Sequence, residues 1–522
     1  MSLIVLLSVA IGYLFGSHLN PNLNTLPQSH PSIHKLNRLM TYLTRDYVDK
    51  INADSLVRVV IEDIVDALDP HSVYIPAVQS ESLAESMQGN FEGIGVQFRM
   101  LQDTIVVSRV LAGGPSERAG LKSGDRILMA DQDTLYSKAL ENDQIISRLK
   151  GSSSTPVQLT VYRKRQDAIY TFDIIRGPVP LPSINSSYMI DNRSGYIKIN
   201  RFSQTTYSEF KQALSSLLSQ DMKDLILDLR GNPGGYLLPA KQIADDFLEA
   251  KKPIVIVEGS NGKRERTVSS SKGLFESGGL YVLVDEDSAS ASEVIAGAVQ
   301  DNDRGLIMGR RTFGKGLVQQ QMPLGQGDQI RLTTARYFTP TGRSIQRPYD
   351  SSSRSDYYAE VRDRYRTGEM EDPSNIPVND SLVYITPKGR TVYGGGGITP
   401  DIYISNSESL EEAWNRFLIG SNHVDLFVLL ELDKNFKKYD FNNAPQFYNE
   451  PLPFQKEFIE SFKRYCKNNS LPLEVNEENE ESILTSIKAY IALQLFDENL
   501  YIRIINQKDP FIQRALEEII SR

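Results

Sequence analysis

The spacing of apolar side chains changes several times along the chain, and each change marks a different kind of structure. An uncharged apolar run, Leu3 to Phe15, opens the sequence and gives way to a polar segment from Gly16 to Ser32. Apolar residues then recur at helical spacing over 33–47 and 54–68, which predicts two helices ending before the sequence DPHS. From Met87 the period shortens. GNFEGIGVQF, IVVSRV and RILMA read as strands, with a helix-like ERAGL before the turn KSGD. ENDQIISRLKG follows as an amphipathic helix expected to put Ile145, Ile146 and Leu149 on one face.

From Gly195 strands alternate with helices. GYIKINRFS and KDLILDLRGNPGGYL are strands flanking a helix from Tyr207 to Leu217. A short buried strand, Tyr281 to Val284, precedes a helix of small and apolar residues, Glu293 to Gln300. The stretch from Leu317 to Phe338 alternates as strands do. Ser351 to Asp380 is polar and reads as a surface insertion, and helical segments return over Ser482 to Phe496 and Phe511 to Ile520. The pattern predicts a multidomain α/β protein. Its expected parts are an apolar segment over 1–17, a linker and helical region over 18–85, a β-rich domain over 86–178, an α/β core over 179–405 and a helical C-terminal extension over 406–522.

Composition narrows the function classes. The chain has 522 residues and a net charge of −9, and it contains no basic run with interleaved aromatics, so nucleic acid is not the expected partner. Its one cysteine, Cys466, excludes an intramolecular disulfide and a multi-cysteine metal site. Histidines are scarce: His18, His30, His34, His71 and His423. A Ser-His-Asp triad would have to use His71, which reads as structural in its loop, and lysine is favoured as a base. The opening apolar run is shorter than the ~20 residues of a full span, has no basic region before it and no A-x-A site after it. An uncleaved export anchor and a cleaved signal both fit it.

The chemistry concentrates between Val282 and Gln319. Ser288, Ser290 and Ser292 alternate at a strand-to-helix junction, and Lys315 follows between two glycines. A serine on such a turn exposes its hydroxyl beside the first helical amides, which can stabilise an oxyanion. A lysine that burial keeps neutral can act as the base, so the pair suggests a Ser/Lys hydrolase. Ser290 and Glu293 also fit the capping box S-x-x-E, which merely starts a helix. Spacing alone does not separate the three serines. Two other matches are decoys. Gly309 to Lys315 fits G-x-x-x-x-G-K, but Gly316 replaces the magnesium-binding hydroxyl and strands follow where a helix should. Ser269 to Lys272 fits S-x-x-K inside a polar stretch that reads as a solvated loop. In LRGNPGG, Leu229 to Gly235, the glycines permit a turn whose amides face a ligand.

Taken together, DPHS, GIGV, AGLKSGD, LDLRGNPGG, SASASE, TFGKG, YFTPTGR and GGGGITPD occur in an order that resembles the C-terminal processing peptidases, also called tail-specific serine proteases. The likeness runs over about 36–405. It implies a PDZ-like domain over 86–178 and a Ser/Lys protease core over 179–405. By the resemblance, Ser290 is the nucleophile, Lys315 the general base and Gln319 a further member of the site. Ala291 and the Gly234–Gly235 turn would supply the oxyanion donors, with the choice of glycine open. Gly93, Ile94, Gly95 and Val96 would form the loop that binds a peptide's terminal carboxylate. The implied activity is endopeptidase cleavage near the C-terminal tails of proteins, through an acyl-enzyme and without metal or organic cofactor. Protein or peptide substrates with free C-termini are the expected partners, with a homo-oligomer or an adaptor protein as further candidates. The expected location is the bacterial cell envelope, on the periplasmic side of the inner membrane, held by a single N-terminal anchor. A peptide-binding scaffold without catalysis, and a hydrolase or transferase of another substrate class, are the alternatives.

Overall fold

The computed structural model describes residues 31–521 except 102, 137–139, 350–353, 406–412, 414–416, 418–421, 436–437, 440, 442, 472–474 and 478. The apolar run Leu3 to Phe15 lies outside the described residues. Among the described residues no helix is long and apolar enough to cross a membrane. The chain divides into two compact units, 1–69 and 70–522. In the first, helices span Pro31–Asp46 and Ala53–Asp66, the second capped by the Asn52 side chain, which accepts from the Ser55 amide at 3.1 Å.

Three larger sheets organise the second unit. The β-rich domain is an antiparallel sheet in the order Val96–Leu101, Thr104–Val110, Arg126–Ala130, Pro156–Arg163, Ala168–Ile175, with Asp133–Thr134 paired to the third strand. Val96–Leu101 is an edge strand. Ile105, Val107, Ile127, Leu159 and Val161 point inward from the sheet and meet Ile145 and Leu149 of the helix Asn142–Leu149. Ile146, expected on the same face, is 42% exposed: a 100° step from Ile145 carries it past the edge of the buried stripe.

At the centre lies a six-stranded sheet in the order Ile184–Met189, Ser194–Ile199, Asp224–Asp228, Gly279–Val284, Leu306–Gly309, Ile402–Tyr403. The first pair is antiparallel and the rest are parallel. Its inner strands Asp224–Asp228, Gly279–Val284 and Leu306–Gly309 carry continuous apolar runs because both faces are covered, whereas the edge strand Ile184–Met189 carries Asn185, Ser186 and Ser187. Leu225 and Leu227 face the helices Thr206–Leu218, Leu237–Phe247 and Ala291–Asp301, while Ile226 between them joins a second cluster on the opposite face. The helix Ala291–Asp301 is buried along its whole length, which explains its small apolar composition.

The third sheet is antiparallel, in the order Val73–Ile75, Asp328–Phe338, Pro253–Gly259, Arg264–Val268, and Leu317–Gly325 forms a hairpin with Asp328–Phe338. This hairpin is the alternating stretch after Lys315, so the glycine-lysine motif there leads into a strand. The polar stretch 351–380 is not a simple surface insertion. Its helix Arg354–Arg366 buries Tyr357 and Arg364 against the segment that carries Lys315. Ser269, in the second decoy, is buried in its loop by bonds to the carbonyls of Glu249 and Lys252.

Candidate active site

The parallel strands of the central sheet end in loops that converge on one place, as ligand sites in open α/β sheets do. Asp224–Asp228 runs into LRGNPGG, Gly279–Val284 into the three serines, and Leu306–Gly309 into Arg310–Lys315. Buried polar groups hold these loops together. The Ser288 hydroxyl donates to the Leu229 carbonyl at 2.9 Å, and that of Ser292 to the Asn232 carbonyl at 3.0 Å. Both are fully buried. Ser290 differs. It is only partly buried, it is the residue immediately before the helix Ala291–Asp301, and its φ of 55° is rare for a side chain other than glycine or asparagine. Such strain at a strand-turn-helix junction is the geometry that lifts a serine hydroxyl out of its surroundings.

Gly234 packs directly on Ser290. A Cβ at position 234 would lie 2.7 Å from the Ser290 Cβ and 3.1 Å from the Ala291 nitrogen, so only glycine fits. The two candidate glycines are not equivalent. The Gly234 amide donates to Asn232 Oδ1 at 2.9 Å, and its carbonyl accepts from the Phe202 amide at 2.9 Å. Gly235 is exposed, and its N–H takes part in neither bond.

Glu293, at the third position of the helix, is fully buried and joins the serine loop to the lysine loop. Its Oε2 accepts from the Ser290 amide at 2.8 Å and the Lys315 amide at 2.9 Å. Its Oε1 accepts from the Gly314 amide at 2.8 Å and the Thr312 hydroxyl at 2.6 Å. Burial pushes this carboxyl above its ordinary range, against the pull of the four donors. Tyr337 makes a second link, its hydroxyl contacting the carbonyls of Ser290, at 3.0 Å, and Lys315. Burial drives the Tyr337 hydroxyl far above its usual value and keeps it protonated.

Lys315 Nζ donates to Gln319 Oε1 at 2.9 Å, and Gln319 Nε2 donates to the His71 carbonyl at 2.5 Å. His71 therefore enters the site through its main chain. Its ring is turned to Tyr357, with Nε2 3.0 Å from the hydroxyl. The Arg347 guanidinium lies between Phe313 and Tyr357, 4.2 and 4.3 Å from their centroids, and packs the lysine loop from outside.

Gly93 to Val96 sit elsewhere, leading into the edge strand of the β-rich domain. Gly95 has φ of 82°, and a Cβ there would meet Val179 at 3.2 Å. Beside this loop a cavity of about 720 Å³ runs between the edge strand and Ile146, Leu149 and Lys150. Of the residues singled out in the sequence, Ser290, Ala291, Gly234, Gly235, Lys315 and Gln319 thus gather at the central sheet, while the Gly93–Val96 loop forms a separate groove. Glu293, read as a helix cap, Tyr337 and Asn232 lie inside the motifs SASASE, YFTPTGR and LRGNPGG, but the motifs gave no sign of the bonds their side chains make. The capping-box spacing was the one visible trace of Glu293.

The model of peptidase family S41 matches residues 193–350, and that of the PDZ domain matches 93–174. The chain is 30% identical over 337 residues to the carboxy-terminal processing protease CtpB of Bacillus subtilis (strain 168), covering 63% of this chain and 69% of that protein. It is 32% identical over 347 residues to a "Probable CtpA-like serine protease" of Staphylococcus aureus (strain COL), covering 66% of this chain and 68% of that one. Among solved structures, the photosystem II D1 C-terminal processing protease aligns over 72% of this chain and 87% of its own, at 24% identity and a TM-score of 0.37. By these relatives, and by a PDZ domain set before an S41 core, the chain belongs to the C-terminal processing serine proteases of peptidase family S41.

Proposed function

We propose that this serine peptidase is an endopeptidase that cleaves proteins near their C-terminal tails with a Ser290/Lys315 dyad, and that its PDZ domain recognises the substrate's terminal carboxylate. The observation that carries the reading is the shared anchoring of the two residues: Glu293 binds both their amides and Tyr337 both their carbonyls. Two residues 25 positions apart are thereby kept in fixed register, as a nucleophile and its base require. Ser288 and Ser292 have their hydroxyls committed to main-chain acceptors, which favours Ser290.

The neutral Lys315 amine takes the proton from the Ser290 hydroxyl as Oγ attacks the scissile carbonyl carbon. The resulting oxyanion lies against the amides of Ala291 and Gly235, Gly234 being engaged by Asn232. As the carbonyl re-forms, the C–N bond breaks and the lysine ammonium returns its proton to the leaving amine. The tail departs as that amine; water then attacks the acyl-enzyme with the same lysine as base, the Ser290 hydroxyl is restored, and the shortened protein leaves with a new C-terminal carboxylate. Gln319, held by His71, keeps the Lys315 side chain pointed inward. Because only the neutral amine accepts a proton, activity rises with pH. We place the enzyme at the cell envelope, anchored by its N-terminal apolar run; membrane fractionation of the full chain and of one lacking residues 1–17 tests this.

The dyad is tested by single and double substitution. Ser290→Ala and Lys315→Ala should each reduce hydrolysis of a free-tail peptide by at least about 10³-fold, and the double variant should be no worse than either single one. Normal turnover by either purified variant would overturn the assignment.

A further inference from the structure

The edge strand Val96–Leu101 has two faces. Val96, Phe98 and Met100 turn into the core of the PDZ domain. Gln97 and Arg99 turn the other way, and register puts Arg109 opposite Gln97 and Val106 opposite Arg99 on that outer face. In a free-standing domain this face would meet water. Here the C-terminal helices cover it. Arg99 pairs with Asp425, and Arg109 with Glu498 at 3.0 Å. Arg126, on the same face, grips Asp433 with both terminal nitrogens at 3.0 and 2.8 Å, and Lys164 adds a further contact at 2.8 Å. The cavity beside the edge strand consequently has two walls. One is Ile146, Leu149 and Lys150 of the PDZ helix region; the other includes Tyr490, Leu493 and Tyr501 of the C-terminal extension.

A peptide that joins an edge strand alternates its side chains between the two faces of the sheet, and the pockets on each face set its specificity. If the terminal side chain enters on the Ile94 and Leu149 side, next to the glycine loop, the penultimate one must point to the outer face. The charged groups on that side are paired with one another, Arg99 with Asp425 and Arg109 with Glu498, so the part of the wall left to bind an uncharged side chain is that of Tyr490, Leu493 and Tyr501. We propose that the C-terminal extension is a specificity wall of the tail groove, selecting an apolar or aromatic penultimate residue through Tyr490, Leu493 and Tyr501. This rests on the PDZ domain binding substrate tails. A carboxylate at the penultimate position would have to compete with Asp425 and Glu498 for Arg99 and Arg109 or be desolvated without a partner, which is unfavourable.

The test uses the full chain carrying Ser290→Ala and fluorescent peptides of one sequence, differing only at the penultimate residue (Leu or Asp) or in amidation of the last. The free-tail Leu peptide should bind ~10-fold tighter than the Asp peptide, a difference typical of one apolar pocket. Leu493→Asp should shrink that ratio to under about 2-fold, and Leu493→Ala, which serves if the first variant does not fold, should lower it part of the way. A ratio near one in the starting protein, or one that survives in the folded variant, overturns the specificity wall while leaving tail binding intact. Equal binding of free and amidated peptides removes tail recognition itself, and this inference with it.

Discussion

Glu293 has the most demanding position of any side chain in the site. One carboxylate accepts four hydrogen bonds, three from main-chain amides, and every one comes from a loop that carries a proposed catalytic residue. Replacing it with glutamine keeps the shape but turns an NH2 toward N–H donors, leaving at least one buried donor unsatisfied. Glu293→Gln is expected to lower stability by about 2 kcal/mol. Because Ser290 and Lys315 would also shift relative to one another, kcat should fall roughly 10- to 100-fold with KM little changed. Urea unfolding and steady-state kinetics on the same preparation check both. A kcat within 2-fold of the parent would remove Glu293 from the positioning role. At this scale the sequence was legible where chemistry is written into local motifs: SASASE and FGKG mark the loops. It was silent where a role depends on reach. Tyr337 lies at the end of a strand pattern, where YFTPTGR begins, and Asn232 lies inside LRGNPGG, but neither motif says what the side chain reaches. Glu293 was visible only as a cap because hydrogen bonds to residues about 20 positions away leave no local trace.

The loops bearing those residues are braced by elements distant in sequence. Arg230, at the start of the LRGNPGG turn, donates to Asp509 at 3.1 and 2.8 Å, and its guanidinium lies 4.6 Å from the Phe511 ring centroid. Arg310, at the start of the lysine loop, lies 5.2 Å from the same centroid and pairs with Glu286. Phe511, near the start of the helix Pro510–Ser521, therefore connects two loops of the proposed site. Phe511→Leu keeps an apolar side chain but removes the ring face from both cations. It should cost about 1 kcal/mol of stability. Phe511→Ala, which also opens a cavity, should cost about 3–5 kcal/mol. Both variants should lose kcat in the order Ala more than Leu. Thermal melts and kinetics of the two variants measure this, and full activity in Phe511→Ala would show that the loops keep their positions unaided. Periodicity had marked 511–520 as a helix, and the hairpin after Lys315 was equally plain. Their partners were not, because period reports which face is apolar and never what it packs against. The stretch 351–380 misled for a related reason. Its polarity resembles a solvated insertion, yet Arg364 is buried by donating to the carbonyls of Arg311 and Thr312 at 2.9 and 3.0 Å.

For the whole molecule, the central sheet decides what the C-terminal extension is for. Alternate residues of its strands feed two clusters: Leu225, Leu227, Leu280 and Val282 on one face, Ile226, Tyr281, Leu283 and Met308 on the other. Helices within 206–301 cover the first. The second is completed by Phe511, Ile512, Ala515 and Ile519 of the last helix. Uninterrupted apolar strands such as DLILD and YVLV already required a cover on both faces, but only the fold identifies the chain's final helix as the second cover. A segment that resembles an appendage thus belongs to the core. Burial of Phe511, Ile512 and Ile519 is worth about 1.5–3 kcal/mol for each side chain, before counting the sheet residues they shield. That sum is comparable with the ~5–15 kcal/mol that holds a typical domain folded. Deleting 510–522 alone should therefore yield a chain that aggregates or melts far below the parent, although Ser290, Lys315 and the PDZ domain are all retained. An independent appended module would give the opposite result, with the melting temperature of the remainder moving by no more than about 2 °C. Soluble yield and thermal melts of the chain ending at residue 509 decide between these outcomes. An active, normally melting product would mean that Tyr196, Ile226 and Met308 tolerate exposure, and that the last helix is not a structural layer of the protease.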